Sequence, residues 1–173
     1  LAIQERLADH ATAATTLIST GNIRYLQGDY AGAIRDHSNS RDLYLAISDT
    51  DGHARALEGL ARTFSAQGDY GAALSALAGV LAEGLARSDR SRQATALENI
   101  GDVHLRLGNL DAARSHYEQS RDHFLAVKSM SGAGRVWQGI GMAELIANRF
   151  AEAEHAYTTS GVICGGVGDR EGA

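Results

Sequence analysis

An internal period of 40 residues is the feature that most constrains this sequence. Short turn-forming segments recur at this spacing, namely Gly28-Asp29-Tyr30, Gly68-Asp69-Tyr70, Gly108-Asn109-Leu110 and Asn148-Arg149-Phe150. An alanine recurs in the same register at Ala33, Ala73, Ala113 and Ala153. A fixed period of roughly 20 to 50 residues is typical of proteins built from stacked repeats. The sequence therefore predicts four similar units rather than a fold with one central core.

Within each period the apolar residues predict two helices. They recur at spacings of three and four residues, which is the helical period, and no strand-like alternation persists. Proline is absent from the whole chain. In the first period we expect helices over about 12–27 and 30–47, since Gly28 is suited to end a helix and Asp29 to cap the next one. The expected fold class is all-α, built from antiparallel helix pairs.

The same register predicts the domain organisation. We expect a single domain over residues 1–173, with residues 1–11 as the tail of a preceding helix and repeats at about 12–51, 52–91, 92–131 and 132–171. The last helix is expected to fray or to end near Ile163, because each glycine in a helix interior costs up to about 1 kcal/mol relative to alanine. The glycines concerned are Gly161, Gly165 and Gly166.

Composition narrows the class of protein. Apolar residues make up 44% and charged residues 21% of the chain, as in an ordinary folded domain. The net charge of −5 argues against a nucleic-acid-binding surface, and no apolar run approaches the roughly 20 residues that span a bilayer. The single cysteine, Cys164, is expected to be buried or half-buried, and it requires no oxidising compartment. We therefore expect a cytoplasmic protein that does not bind membranes.

The ends of the chain suggest a segment of a longer protein. The sequence starts at Leu1 without a methionine, and Gly172-Ala173 follows Gly132-Ala133 by one period. If the array is cut in this way, its ends expose apolar surface that a further repeat would cover. Self-association through such ends is therefore one possible partner interaction.

A second pattern appears when the four periods are compared position by position. The fourth carries Trp137, Ile140, Gly141, Ala153 and Tyr157; the third carries Leu97, Ile100, Gly101, Ala113 and Tyr117; the second carries Leu57, Leu60, Ala61, Phe64, Ala73 and Leu77. The first keeps Leu17, Gly21 and Ala33 but has Thr20, Arg24 and His37 where apolar residues are usual. This order of large, small and aromatic residues resembles the tetratricopeptide repeat (TPR) family.

Two departures from that family indicate a subgroup. The usual repeat has about 34 residues, and its closing proline is missing here in every copy. The longer unit resembles the TPR repeats of kinesin light chains, of Pins-type spindle-orientation adaptors and of bacterial TPR regulators. The resemblance implies a right-handed α-solenoid, the TPR superhelix, in which the first helix of each repeat lines a concave groove.

In the family, exposed positions of the first helices contact an extended or helical peptide. The resemblance places a peptide-binding groove at Asn22, Tyr25, Arg55, Glu58, Arg62, Glu98, Asn99, Asp102, Arg106, Arg135, Gln138 and Met142, with Thr15, Ile18, Thr95 and Leu145 on the same faces. Asparagine amides can bind peptide backbone, and arginines can pair with acidic side chains. The lysine-and-asparagine clamp of chaperone-binding members is not present. We expect a module that binds a peptide or protein segment.

Alternative functions have weaker support in the sequence. The segment could instead be the regulatory or sensor part of a larger signalling enzyme or transcription regulator, acting on an attached domain or binding a small ligand. Seven histidines occur without a metal-binding motif, so we expect them to be exposed or half-packed. Asp49-Thr50-Asp51-Gly52 lacks the later ligands of a calcium loop and is expected to be a turn with a helix cap. We expect no enzyme activity, no metal and no cofactor.

Overall fold

The computed structural model describes the backbone of residues 2–168 and the side chains of residues 7–165. Within this range every regular element is an α-helix, which confirms the all-α prediction. The helices are α1 (Ala2–Leu26), α2 (Tyr30–Ala46), α3 (Thr50–Gln67), α4 (Tyr70–Ala86), α5 (Arg90–Arg106), α6 (Leu110–Ala126), α7 (Met130–Ile146) and α8 (Phe150–Gly168).

The helix boundaries keep the 40-residue period of the sequence. The second helices of the four pairs begin at Tyr30, Tyr70, Leu110 and Phe150, and the first helices of the last three pairs begin at Thr50, Arg90 and Met130. Each of these first helices begins two residues before the expected repeat boundary. Short connections between successive helices favour antiparallel neighbours, so the repeat unit is a helical hairpin.

Left-handed residues and aspartate caps form the turns. Gly28, Gly68 and Gly108 have φ of 80°, 88° and 75°, and Asn148 takes the same role in the last pair with φ 58°. Glycine has no Cβ to clash in this region, and asparagine tolerates it better than most residues. Asp29 and Asp49 accept a backbone N–H from Gly32 and Gly52, both at 2.9 Å. The predicted caps at these two turns are confirmed.

Two helix ends differ from the sequence prediction. α1 runs without a break from Ala2, so residues 2–11 belong to the first helix rather than to the tail of a preceding one. α8 continues to Gly168 rather than ending near Ile163. The Ser160 hydroxyl in α8 donates to the Gly134 carbonyl at 2.8 Å, which ties this part of α8 to α7. The predicted echo of Gly132-Ala133 at residues 172–173 lies outside the described residues.

The helices group into two compact units, Leu1–Glu83 and Gly84–Ala173, and the boundary falls near the end of α4. The single domain over residues 1–173 stays a prediction. In the first unit, which we call unit 1, α1 contacts both α2 and α3, and α2 contacts α3. In the second, unit 2, α5 and α7 each contact α6 and also contact each other, and α8 packs on α7.

Small residues allow the helices of each unit to approach closely. Ala33, Ala73 and Ala113 are fully buried, as are the core alanines Ala14 and Ala94. The core of unit 1 contains Ala14, Ile18, Tyr44 and Ala56. The core of unit 2 contains Ala94, Ala113, Tyr117, Phe124, Ala133, Val136, Ile140 and Ala156. A large buried ring packs closely on a neighbouring helix where that helix has a small residue, and glycines provide such positions here.

Candidate interaction surfaces

The first helices of neighbouring pairs lie side by side in each unit. α1 contacts α3 in unit 1, and α5 contacts α7 in unit 2. Their exposed sides carry most of the residues predicted to bind a peptide. We call Asn22, Tyr25, Arg55, Glu58 and Arg62 the unit 1 face, and we call Glu98, Asn99, Asp102, Arg106, Arg135, Gln138 and Met142 the unit 2 face.

On the unit 1 face, three predicted residues form one cluster. The Arg62 guanidinium of α3 donates from Nη2 to the Asn22 side-chain oxygen of α1. Its central carbon lies 4.8 Å from the centroid of the Tyr25 ring, a cation–π arrangement. Arg62 is exposed, and within the described part of the chain it forms no ion pair. The cluster therefore presents an oriented cation to solvent.

Two further predicted residues of the unit 1 face, Arg55 and Glu58, lie on α3. Arg55 is exposed on α3, and Glu58 is half-buried between the two arginines in sequence. Ile18, which we expected on the binding face, is only 9% exposed and belongs to the core of unit 1. Helix periodicity allowed either position for Ile18, and it is buried in a core that α1 shares with Tyr44 of α2 and Ala56 of α3. Thr15 shares a hydrogen bond of 2.8 Å with the Tyr44 hydroxyl.

On the unit 2 face, an ion pair connects the two first helices. Arg135 of α7 donates to both carboxylate oxygens of Glu98 of α5, at 3.1 and 2.9 Å. The same guanidinium lies over the Phe124 ring, with its carbon 5.7 Å from the centroid. The hydrogen bond to Glu98 raises the pKa of Arg135. Such two-point pairing fixes the orientation of both side chains.

Below this pair, Asp102 accepts a hydrogen bond from a buried tyrosine of α6. The Tyr117 hydroxyl donates to the Asp102 carboxylate at 2.6 Å. Desolvation by the surrounding groups raises the pKa of Asp102, although the hydrogen bond and the charges of Arg106 and Arg135 act in the opposite direction. Burial, followed by the nearby Asp102, raises the pKa of Tyr117 far above its usual value. The raised pKa of Tyr117 keeps its hydroxyl protonated, and therefore a hydrogen-bond donor, at neutral pH.

The remaining predicted residues of unit 2 form a more open surface. Arg106, Gln138 and Met142 are exposed, and Asn99 and Thr95 are half-buried. Met142 and Leu145 are 44% and 43% exposed, which is high for large apolar side chains. The structure thus brings together Glu98, Asp102 and Arg135, and the charge of Arg106 acts on Asp102. It leaves Met142 and Gln138 beside them without a described hydrogen bond.

Sequence reasoning missed the second-helix residues that support these faces. Tyr117 lies between Gly101 and Gly139, where an added Cβ would stand 2.7 and 2.8 Å from its ring atoms. His37 occupies the same register in unit 1 and is fully buried, contrary to the expected exposed or half-packed histidines. The signal was present, because this register reads His37, Leu77, Tyr117 and Tyr157 in the four repeats.

Outside the two faces, three further features bear on function: groups that could bind a metal, the single cysteine and the apolar character of the described helices. Among the described residues, no three histidine, cysteine, aspartate or glutamate side chains are placed to hold a metal ion. Cys164 is exposed rather than buried or half-buried, although its sulfur lies against α7, where a Cβ added to Gly134 would stand 2.6 Å from it. No described helix has the length and apolar character that a membrane span requires.

Stacked helical hairpins in a fixed register, with glycine and alanine at the close contacts, define an α-solenoid repeat protein. A sequence profile of the tetratricopeptide repeat family matches residues 12–82 and 89–160. The chain belongs to this family, and the resemblance seen in the sequence is confirmed. Membership supports a general role as a protein-interaction scaffold.

Solved structures show the same fold at low sequence identity. BtubC (BKLC) from P. vanneervenii has a TM-score of 0.79 and 13% identity, over 90% of this chain and 64% of that chain. MamA protein has a TM-score of 0.50 and 20% identity, over 86% of this chain and 90% of that chain. This chain therefore spans less than two thirds of BtubC. A search of curated proteins gives no significant match.

Proposed function

We propose that the chain is a protein-interaction module that binds a peptide or protein segment on the exposed sides of its first helices. The observation that carries the proposal is the Arg62 cluster, in which Tyr25 and Asn22 orient a guanidinium that has no acidic partner among the described residues. An oriented cation costs less conformational entropy on binding than a freely rotating side chain. The module has no catalytic step of its own in this proposal.

The unit 1 face favours an acidic partner segment. Arg55 and Arg62 lie seven residues apart on α3, which places them about two turns apart on the same side of the helix. Guanidinium groups bind carboxylates through two parallel hydrogen bonds. An extended peptide with acidic side chains at matching spacing would therefore pair with both arginines. On α7, the exposed Met142 of the unit 2 face and the nearby exposed Leu145 would supply an apolar anchor.

A displayed library of random peptides provides the test. Peptides selected on the wild-type chain should be enriched in aspartate and glutamate. Arg55→Ala and Arg62→Ala should each weaken their binding by roughly 5- to 30-fold, as expected for loss of about 1–2 kcal/mol. The matched control is Arg35→Ala, which removes the same charge from an exposed position on α2. Fluorescence anisotropy with labelled peptides measures each affinity.

A second pair of variants separates the two faces. Met142→Ser removes an exposed apolar side chain from α7, and Leu125→Ser removes one of similar exposure, 41%, from α6. Loss of binding with Met142→Ser alone would support an anchor on the unit 2 face. If the Arg35 and Leu125 controls weaken binding as much as the face variants, or if no peptide is selected, the proposal of first-helix binding is wrong.

The remaining expectations about partners belong to the same proposal. We propose that this segment binds neither nucleic acid nor membranes, on the basis of its net charge of −5, and that it acts in the cytoplasm. Self-association would use other residues: Phe150 and Val162 of α8 are 63% and 71% exposed. Sedimentation of the wild-type chain over a range of concentrations would detect it independently of peptide binding.

A further inference from the structure

A fully buried histidine lies beneath the unit 1 face. His37 of α2 has no accessible surface, and neither of its ring nitrogens has a hydrogen-bond partner among the described residues. A neutral imidazole always carries one N–H and one acceptor nitrogen, so this burial leaves both unsatisfied. Such groups are uncommon in proteins and call for an explanation.

The ring fills the contact between α1 and α3. A Cβ added to Gly21 of α1 would stand 2.7 Å from the His37 Cε1, and one added to Gly59 of α3 would stand 2.6 Å from the same atom. The two glycines therefore sandwich the imidazole. Asn22 directly follows Gly21, whereas Tyr25 and Arg62 lie about one turn beyond Gly21 and Gly59. These three residues form the cluster that connects the same two helices.

The charged groups around His37 disfavour a second proton on the ring. Arg62 of α3 repels it, while Asp36 of α2 attracts it. Asp36 is already engaged by Arg24 of α1, whose Nη1 donates to its carboxylate at 2.5 Å. Burial is the largest effect, Arg62 adds to it, and together they lower the pKa of His37 despite Asp36. An imidazolium in this place would need two acceptors, and no described residue forms a hydrogen bond with either ring nitrogen.

We infer that His37 makes the α1–α3 contact acid-sensitive, so that acid opens this contact and disrupts the Asn22–Tyr25–Arg62 cluster. The ring is neutral and packed at neutral pH. When it takes up a proton, water must reach the imidazolium, and this requires the two glycine-containing helix segments to separate. The inference rests on the proposed function in one respect, namely that the cluster is a binding surface. The opening itself does not depend on any partner.

The direction follows from proton linkage. A histidine exposed by opening titrates near its usual value of about 6.5, whereas the buried ring titrates lower. The opened state therefore binds more protons in the interval between these two values, and the free energy of opening falls as the pH falls through it. As long as the packed ring stays neutral, the equilibrium constant for opening rises at most roughly tenfold for each pH unit below about 6.5.

The repeats supply the matched control. The register of His37 is occupied by Tyr117 in unit 2, between Gly101 and Gly139, with its hydroxyl on Asp102. Asn22 holds the register of Asp102 in the first repeat. His37→Tyr should therefore fit between Gly21 and Gly59 and donate to Asn22. It removes the titrating group and keeps the packing.

Hydrogen–deuterium exchange of the full chain at about pH 7.5 and about pH 5.5, corrected for intrinsic exchange rates, tests the inference. In the wild type, α1 and α3 should exchange several-fold faster at the lower pH. In His37→Tyr this acid response should fall below about twofold. His10→Gln, which removes a half-buried histidine elsewhere on α1, should keep it.

Two outcomes would overturn the inference: an unchanged acid response in His37→Tyr, or the absence of a response in the wild type. If His37→Tyr does not fold, His37→Leu, which copies Leu77, is judged by the same criteria. The exchange experiment contains no peptide, so a negative result does not contradict the binding proposal. Likewise, failure to select a peptide does not contradict the acid sensitivity of the α1–α3 contact.

Discussion

At the scale of single residues, the packing depends on rings that lie against glycines. Gly101 and Gly139 accommodate Tyr117, and Gly132 accommodates Phe124, with an added Cβ only 2.5–2.9 Å from the nearest ring atoms. At such distances a Cβ cannot be added unless the ring or a helix moves. The glycines at these positions are therefore determined by the neighbouring helix rather than by their own backbone.

Gly101→Ala is expected to destabilise the chain by about 1–3 kcal/mol, because the new Cβ would collide with the Tyr117 ring. Gly161→Ala makes the same chemical change in α8, where nothing lies within 4 Å of the added atom. That variant should gain up to about 1 kcal/mol from helix propensity. Urea unfolding measures both changes, and equal effects of the two substitutions would contradict this account of the glycines.

At the scale of the elements, the contact between the two helices of a pair uses different chemistry in each repeat. In the first pair Arg24 and Asp36 form an ion pair across α1 and α2. In the third pair His104 and His116 stack in the same register, with ring centroids 5.2 Å apart and an angle of 8° between the planes. The second pair has Phe64 and Ala76 in these positions.

The stacked histidines should make unit 2 less stable in acid. Burial, with a smaller effect of His104, lowers the pKa of His116. The unfolded chain therefore binds more protons below about pH 6.5, and the free energy of unfolding falls as the pH falls, by at most about 1.4 kcal/mol per pH unit for one group.

The double variant His104→Phe/His116→Ala copies the second pair and should remove the part of this dependence that comes from His116, while the contribution of His37 remains. Urea unfolding at about pH 7.5 and about pH 5.5 gives the comparison. The control is His10→Gln, which should retain the wild-type slope. A double variant with the wild-type pH dependence would show that the acid sensitivity originates elsewhere.

At the scale of the whole molecule, the 40-residue register means that one full repeat can be removed without changing the phase of the helices on either side. Deleting residues 57–96 joins Ala56 of α3 to Leu97 of α5 and keeps the helical phase, because one full period is removed. In repeat proteins stability is approximately a sum over repeats and their interfaces. The shortened chain should fold with helical circular dichroism, lower stability and a urea m-value reduced by about a quarter.

The control deletion removes residues 57–94 and leaves two extra residues at the junction. Two residues rotate the following helix by about 200°, which turns its apolar side away from the core. This variant should lose cooperative unfolding. If both deletions behave alike, the fold does not depend on the register in the way proposed.

Several features could be read from the sequence because they depend on local chemistry or on repetition. The turns at Gly28 and Asp49 follow from backbone conformation and capping, and the period fixes the order and length of the helices. The positions of Asn22, Tyr25 and Arg62 on first helices followed from the resemblance to the repeat family. Local signals of this kind are present within one hairpin, and four copies reinforce them.

Other features were decided only by tertiary structure, because they depend on which side chains meet across helices. The sequence placed Ile18 on a binding face, but it lies in the core of unit 1 together with residues of α2 and α3. It did not show that Arg62 lies on Tyr25 or that Glu98 pairs with Arg135. By itself the sequence determined the class of fold through its period. The faces, and the burial of His37 between two glycines, arise when residues far apart along the chain are packed together.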